Sequence, residues 1–315
     1  MNRFDAAWRL CLLLCLTTLA PAGWSLAGGP GQDVLVFSRQ DWIWTCDGDG
    51  RSVRKVCPGV MPGVAPDSRS IVFFRSSQDS TSPDFMDLWV HAEGRETRVA
   101  GSMLPGSSPV WHPDQGLIAF LVRDDDARTG VMTVELATGK KRVLFSEKKN
   151  GTGFLCSIAS SADVRLVVHD MQFAYWLDWG GRVVDKVALV DIMGDAALQV
   201  TSADRFVPCP TDPSLLVFSH SVPGTAVFER IMHEPNSALS LHDRWTGRGK
   251  NMRITPVEIT AFDPVWSADG KRIYFIGYRD TQAADHDLFR ILRVERFGSG
   301  LRAVTMGEGV SVSGR

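Results

Sequence analysis

The 315-residue sequence predicts an all-β fold, a six-bladed β-propeller of four-stranded antiparallel blades, and three observations carry that expectation. Pro264 to Phe275 (PVWSADGKRIYF) reads as a strand, a tight Asp-Gly turn and a second strand, and Pro109 to Phe120 (PVWHPDQGLIAF) repeats the hairpin. The residue closing each second strand recurs as Phe37, Phe73, Phe120, a degenerate position near Val168, Phe218 and Phe275, at spacings of 36 to 57 residues, the length of a four-stranded unit. A separate ladder of glycine turns follows later in each unit, at Gly48 to Gly50, Gly94, Gly139, Gly180 to Gly181, Gly247 and Gly298. Most of these turns are flanked by strands of period two, such as Leu88-Trp89-Val90 and Val131 to Val134.

Taken in chain order, the N-terminus stands apart. Arg3 and Arg9 precede the short apolar run from Leu10 to Ala20, and Ser25-Leu26-Ala27 offers small residues at the positions a signal peptidase reads. Residues 1–27 are therefore expected to be a cleaved signal peptide, with Ala22 as a second cleavage point, and residues 28–315 the propeller. The run is too short for a comfortable membrane span, and no later stretch approaches the ~18 apolar residues needed. Localisation is expected to be periplasmic or secreted, without a transmembrane helix after cleavage.

The first unit opens at Asp33 to Phe37 and lacks the strand that precedes this position elsewhere, whereas the C-terminus continues into Gly309-Val310-Ser311-Val312. That tail is expected to supply the missing innermost strand and close the first blade, leaving no open sheet edge. Pro66 to Phe73 matches Pro113 to Phe120 without a gap, and Thr211 to Phe218 matches it with Cys209 where other units carry Trp111 or Trp266. The fourth unit, Phe154 to His169, has lost the Pro-Asp turn. Trp111 and Trp266 are expected to pack between blades.

Charge and cysteine content narrow the function. A net charge of -2 argues against a general nucleic-acid or anionic-membrane binder. The exported chain keeps Cys46, Cys57, Cys156 and Cys209, which allow three pairings. Cys46 with Cys57 is the local candidate for a bridge, and buried free thiols are the alternative. No C-x-x-C spacing supports a zinc knuckle or a redox motif.

The pattern Pro-x-Trp-Ser-x-Asp-Gly-Lys-x-Ile-x-Phe at Pro264 to Phe275, echoed at Pro109 to Phe120, resembles the repeat of TolB-type propellers, and the resemblance covers residues 33–312. It implies a six-bladed fold. Pro210 to His220 is similar to a segment of oligogalacturonate lyases, propeller enzymes that cleave acidic sugars with a metal held by histidines. Arg205 stands where that family has His, Ser221-Val222-Pro223 replaces its Glu-Gly-Pro-Trp, and no later His cluster follows.

In a four-stranded meander the loops after strand two share one face with the links between blades. Each second strand is followed there by a basic or imidazole residue: Arg39, Arg75, Arg123, His169, His220 and Arg279. Asp41, Asp79, Asp124, Asp170 and Asp280 stand close by. Two readings follow: each Arg pairs with its neighbouring Asp and pins a loop, or the cations ring the channel mouth and attract a carboxylate ligand. The long loop 221–238 adds Glu229, Arg230, His233 and Glu234 to the same face. The candidate ligand-binding residues are thus Arg39, Arg75, Arg123, His169, His220, His233 and Arg279.

Other motifs have structural explanations. Asp47 to Ser52 has the start of a calcium loop without its distal Glu and fits a hairpin turn. Asp124-Asp125-Asp126 fits a solvated loop tip, and no serine sits in a nucleophile elbow. Trp42, Trp44, Trp176 and Trp179 are either core or a stacking surface for sugars. With no complete catalytic set, no metal site and no cofactor motif, the sequence points to a monomeric binding or scaffolding module whose protein or glycan ligand docks on the strand-two loop face. The alternative is a metal-assisted lyase or hydrolase of acidic oligosaccharides.

Overall fold

Alternating apolar residues punctuated by Asp, Gly and Pro turns fold this chain almost entirely into antiparallel hairpins, as the computed structural model records. It describes residues 32–313, apart from 81, 162, 195–196, 198–199, 202–203, 223–236, 244–250 and 280–288. The expected signal peptide lies outside the described residues. No helix among those described is long and apolar enough to cross a membrane.

The strands begin with β1 (Val34–Arg39), β2 (Trp42–Asp47) and β3 (Arg54–Pro58). Next come β4 (Val60–Val64), β5 (Ser70–Ser76), β6 (Met86–Ala92) and β7 (Arg95–Pro105). The third run is β8 (Val110–Trp111), β9 (Leu117–Arg123), β10 (Thr129–Glu135) and β11 (Lys141–Ser146), with a one-turn helix α1 (Glu147–Asn150) behind it. Then follow β12 (Ile158–Ser160), β13 (Leu166–His169), β14 (Phe173–Leu177), β15 (Val183–Ala188) and the short α2 (Leu189–Met193). The fifth run holds β16 (Phe206–Cys209), β17 (Asp212–Ser221), β18 (Ser237–Asp243) and β19 (Met252–Arg253). The last holds β20 (Ile259–Trp266), β21 (Arg272–Arg279), β22 (Arg290–Glu295), β23 (Arg302–Met306) and β24 (Glu308–Ser313).

The fold is an all-β propeller with four-stranded antiparallel blades. Four sheets are separate, in the orders β24-β1-β2-β3, β12 to β15, β16 to β19 and β20 to β23. Six separate sheets are predicted from the sequence, and here the structure differs: β4 to β11 form one eight-stranded sheet. The physical cause is the length of β7. Its eleven residues run past the end of β6, Ser102 adopts a left-handed φ of 54°, and Leu104 and Pro105 then pair with Arg123 and Val122 of β9. The C-terminal strand β24 pairs antiparallel with β1, Val34 opposite Ser313 and Leu35 opposite Val312.

Burial peaks at the second strand of each run and falls outward from it. The second strands β1, β5, β9, β13, β17 and β21 are buried over most of their length, because a neighbouring sheet covers each face. The outer strands β3, β15 and β23 are mostly exposed or half-exposed. Among the described residues, six buried clusters lie between successive runs of strands rather than one central core. The cluster of Leu35, Phe37 and Cys46 takes in Tyr274, Ile276 and Ile291 from the far end of the chain.

Candidate functional site: the central channel and its mouth

Residues of β4, β8, β12, β16, β20 and β24, or of the turns flanking them, line one cavity of ≈ 390 Å³. An innermost strand has a partner on one side only, so its other edge faces the cavity. Six prolines, Pro62, Pro66, Pro109, Pro208, Pro210 and Pro264, stand in that wall. Proline has no N–H, which suits an edge without a hydrogen-bond partner and discourages a further strand from adding there. Hydroxyls of Ser108, Ser160, Ser311 and Ser313 supply polarity.

The wall is pinned strand to strand. Trp111 donates its indole N–H to Gly63 O at 2.8 Å, and Trp266 donates to Val207 O at 2.9 Å, so each repeat tryptophan ties its strand to the preceding innermost strand, as its place in the motif predicts. A Cβ on Gly63 would stand 2.3 Å from Pro109 O, so only glycine admits this approach. Val64 N donates to Ser311 Oγ at 3.1 Å, linking β4 to β24.

Arg205 is the one charged residue lining the cavity among those described. Its Nη1 lies 3.3 Å from Asp263 Oδ1, with the two side chains 16% and 32% exposed. Asp263 has φ 53° in an irregularity of β20 between Phe262 and Val265, which turns its carboxylate out of the ladder. Arg205 is held through its backbone, its N–H donating to Ser219 Oγ at 2.9 Å and its O accepting from Ser219 N at 3.1 Å. A guanidinium carries five N–H donors and Asp263 faces one edge of it, which leaves directional donors for a carboxylate or carbonyl. Sequence reasoning met Arg205 only as a mismatch to a histidine. The signal that marks it is positional, since Arg205 and Asp263 both stand just ahead of the channel-facing stretch of an innermost strand.

None of the six strand-two residues that the structure describes lines this cavity. Strand two lies one strand, about 4.8 Å, outside the channel wall, which accounts for their absence from its lining. Arg39 lies over Trp44, 5.8 Å from the ring centroid, while Trp44 Nε1 donates to Arg39 O at 3.3 Å. Arg75 repeats the arrangement over Trp89 at 4.7 Å; its Nη2 donates to Pro58 O at 2.7 Å and meets Glu96 Oε2 at 2.9 Å. Trp44 and Trp89 occupy equivalent places, opposite Phe37 and Phe73. Local Arg–Asp pairing is corrected, for Asp79 pairs with Arg98 and not with Arg75. Arg123 is exposed beside Phe154, and Arg279 is exposed at the end of β21.

The histidines are engaged in packing. His169 is fully buried, its Nε2 is 2.8 Å from Asp204 O and its Nδ1 accepts from Met171 N. Burial lowers its pKa to about 4, so it is neutral at physiological pH. Both of its ring nitrogens are thus held within the scaffold. His220 has Nε2 at 3.0 Å from Ser240 Oγ and Nδ1 at 3.1 Å from Ser221 O, and burial lowers its pKa too. His233, with Glu229, Arg230 and Glu234, lies outside the described residues. No three His, Cys, Asp or Glu side chains converge among those described.

Cys46, Cys57, Cys156 and Cys209 are all free and buried, which answers the open choice between a bridge and buried thiols. Burial pushes the thiols of Cys46, Cys57 and Cys156 up to about 12, so none of these three is a reactive thiolate. Asp47 Oδ1 accepts from Asp49 N and Arg51 N, closing the turn expected of its sequence, and Asp124 does the same at its loop tip. Trp176 is core, whereas Trp42 is half-exposed under Lys55, whose Nζ is 3.4 Å from its centroid.

No protein-family model and no curated protein sequence matches this chain. Solved structures do. TolB from Acinetobacter baumannii superposes with a TM-score of 0.65 at 13% identity, over 90% of this chain and 67% of that one. An Agrobacterium tumefaciens protein assigned as TolB gives 0.57 at 16% identity, over 90% and 92%. An oligogalacturonate lyase in complex with manganese gives 0.51 at 11% identity, over 84% and 70%. The architecture is thus TolB-like, as the repeat motif implies, and the likeness at these identities is one of fold.

Proposed function

We propose that this protein is an exported, six-bladed TolB-like propeller that acts as a binding or scaffolding module for a protein or glycan at the cell envelope, in a periplasmic or secreted location. The count of six rests on treating β4 to β7 and β8 to β11 as two blades fused by β7, and it is supported by the six innermost strands around one cavity. Closure of the ring rests on the pairing of β24 with β1. The signal-like N-terminus and the TolB-like fold support export.

One observation carries the binding reading: Arg205 is fixed at the mouth of a rigid, proline-walled cavity with donors to spare. A ligand carboxylate or backbone carbonyl is the group this guanidinium accepts. The lyase alternative needs three or four converging ligands, and His169 and His220 already spend both ring nitrogens on neighbours. The test is a screen of the mature protein against oligogalacturonates and fractionated envelope proteins, with and without divalent metal. Saturable binding without turnover and without a metal requirement is expected. Metal-dependent cleavage of the acidic sugar would replace this reading with the lyase.

A further inference from the structure

A second cavity of ≈ 390 Å³ lies at the joint of the fused sheet, between the end of β7 and the faces of β10 and β11, and it shares no residue with the channel. Its floor is apolar. Met103, Leu104, Val122, Met132 and Val143 line it, and Val143 is 44% exposed, so a large apolar side chain stands open to solvent there. The rim is cationic: Arg123 at the end of β9, Arg128 before β10, Lys141 at the start of β11 and Lys148 in α1.

These charges are poorly answered from within. Asp124 and Asp125 also stand on the rim, but Asp124 Oδ1 is spent on Asp126 N and Arg128 N. Arg128 reaches Asp126 Oδ2 only at 3.7 Å, an exposed pair of little worth. Lys141 Nζ donates to Gly101 O across the joint. Among the described residues Arg123 has a ring contact with Phe154 and no carboxylate partner, and Lys148 has no ion pair. Four cations against two aspartates over an apolar floor leave a net positive, partly apolar groove, and a ligand that brings carboxylates and apolar groups complements both.

The geometry discriminates between ligands. Lys141 and Lys148 flank opposite ends of β11, and five steps of an extended strand already cover about 17 Å. One anionic headgroup cannot meet both ends, whereas an extended chain with several carboxylates can. The two methionines of the floor adapt to side chains of differing shape. We infer that this groove binds an extended acidic peptide segment of another protein, its carboxylates on the Arg123, Arg128 and Lys148 rim and its apolar side chains on the floor.

The test is fluorescence polarisation of the mature protein with a labelled ten-residue peptide of alternating Glu and Leu. Expected results are saturable binding that weakens as salt rises, at least tenfold weaker binding for Arg123→Glu/Lys148→Glu, a comparable loss for Val143→Asp, and no change for Arg205→Ala. All substituted side chains are solvent-exposed except Arg205, and an unaltered thermal midpoint checks that each variant is folded. No binding at millimolar protein, equal binding of a Glu-Ser peptide, insensitivity to Arg123→Glu/Lys148→Glu, or tighter binding of a single-stranded oligonucleotide or phosphatidylglycerol vesicles would each overturn the inference.

Discussion

Arg205 and Arg75 are both half-buried arginines that meet a carboxylate, yet they end up in opposite relations to solvent. Arg205 precedes an innermost strand and faces the cavity, with Asp263 at 3.3 Å. Arg75 ends a second strand, and its guanidinium is consumed by Pro58 O, Glu96 and the face of Trp89. Arg39 over Trp44 repeats the second case. In a radial fold the distance of a strand from the axis decides whether a charge serves a ligand or the scaffold, and one strand of displacement is enough to change the answer.

That contrast can be broken most forcefully by removing a wall of the cavity. Deleting residues 308–315 takes away β24, the bond of Ser311 to β4 and that of Ser313 to the turn after it, and leaves β1 with an open edge. A fall in thermal midpoint of more than roughly 10 °C, or loss of cooperative unfolding, is expected by differential scanning calorimetry. An unchanged midpoint would mean that the ring does not depend on this strand.

The next effect is electrostatic. His169 has a folded pKa of about 4 against the ordinary 6.5 of histidine, so the unfolded chain takes up the proton first as pH falls. Its contribution to stability is complete above pH 6.5 and is lost progressively towards pH 4, about 3 kcal/mol over the whole window. Urea unfolding at pH 7.5 and 4.5 should show this loss in the wild type and much less of it in His169→Gln. Equal pH dependence in the two would place the titration elsewhere.

A smaller change sharpens the account of the wall itself. Trp266→Phe keeps the ring but removes the bond to Val207 O, with an expected cost of about 1 kcal/mol in chemical denaturation. Arg39→Ala removes one half-buried cation–π contact, and a cost of about 1 kcal/mol is expected.

Much of the fold is legible because hairpins are written in turn chemistry. Pro264 to Phe275 and Pro109 to Phe120 announce strand, turn and strand, and their tryptophans land between innermost strands as the motif implies. The fused sheet is not legible, since it depends on how far β7 extends and on the left-handed turn at Ser102, which no residue type there demands. The site is harder still. Arg39, Arg75 and Arg123 are easy to find because they follow a marker residue, but the direction of each guanidinium is set by an aromatic ring on another strand or loop. His169 reads as a surface histidine and is instead held at full burial by Asp204 O, a partner 35 residues away. Arg205 lies outside every repeat motif, and only the assembled wall reveals what it faces.

The central claim, that the channel mouth and not the strand-two residues meets the ligand, is tested most directly by isothermal titration of the ligand recovered in the binding screen against two variants. Arg205→Ala is predicted to weaken binding at least tenfold, and Arg39→Ala/Arg75→Ala to change it less than twofold. A tenfold loss in the double variant with wild-type affinity in Arg205→Ala would contradict the account.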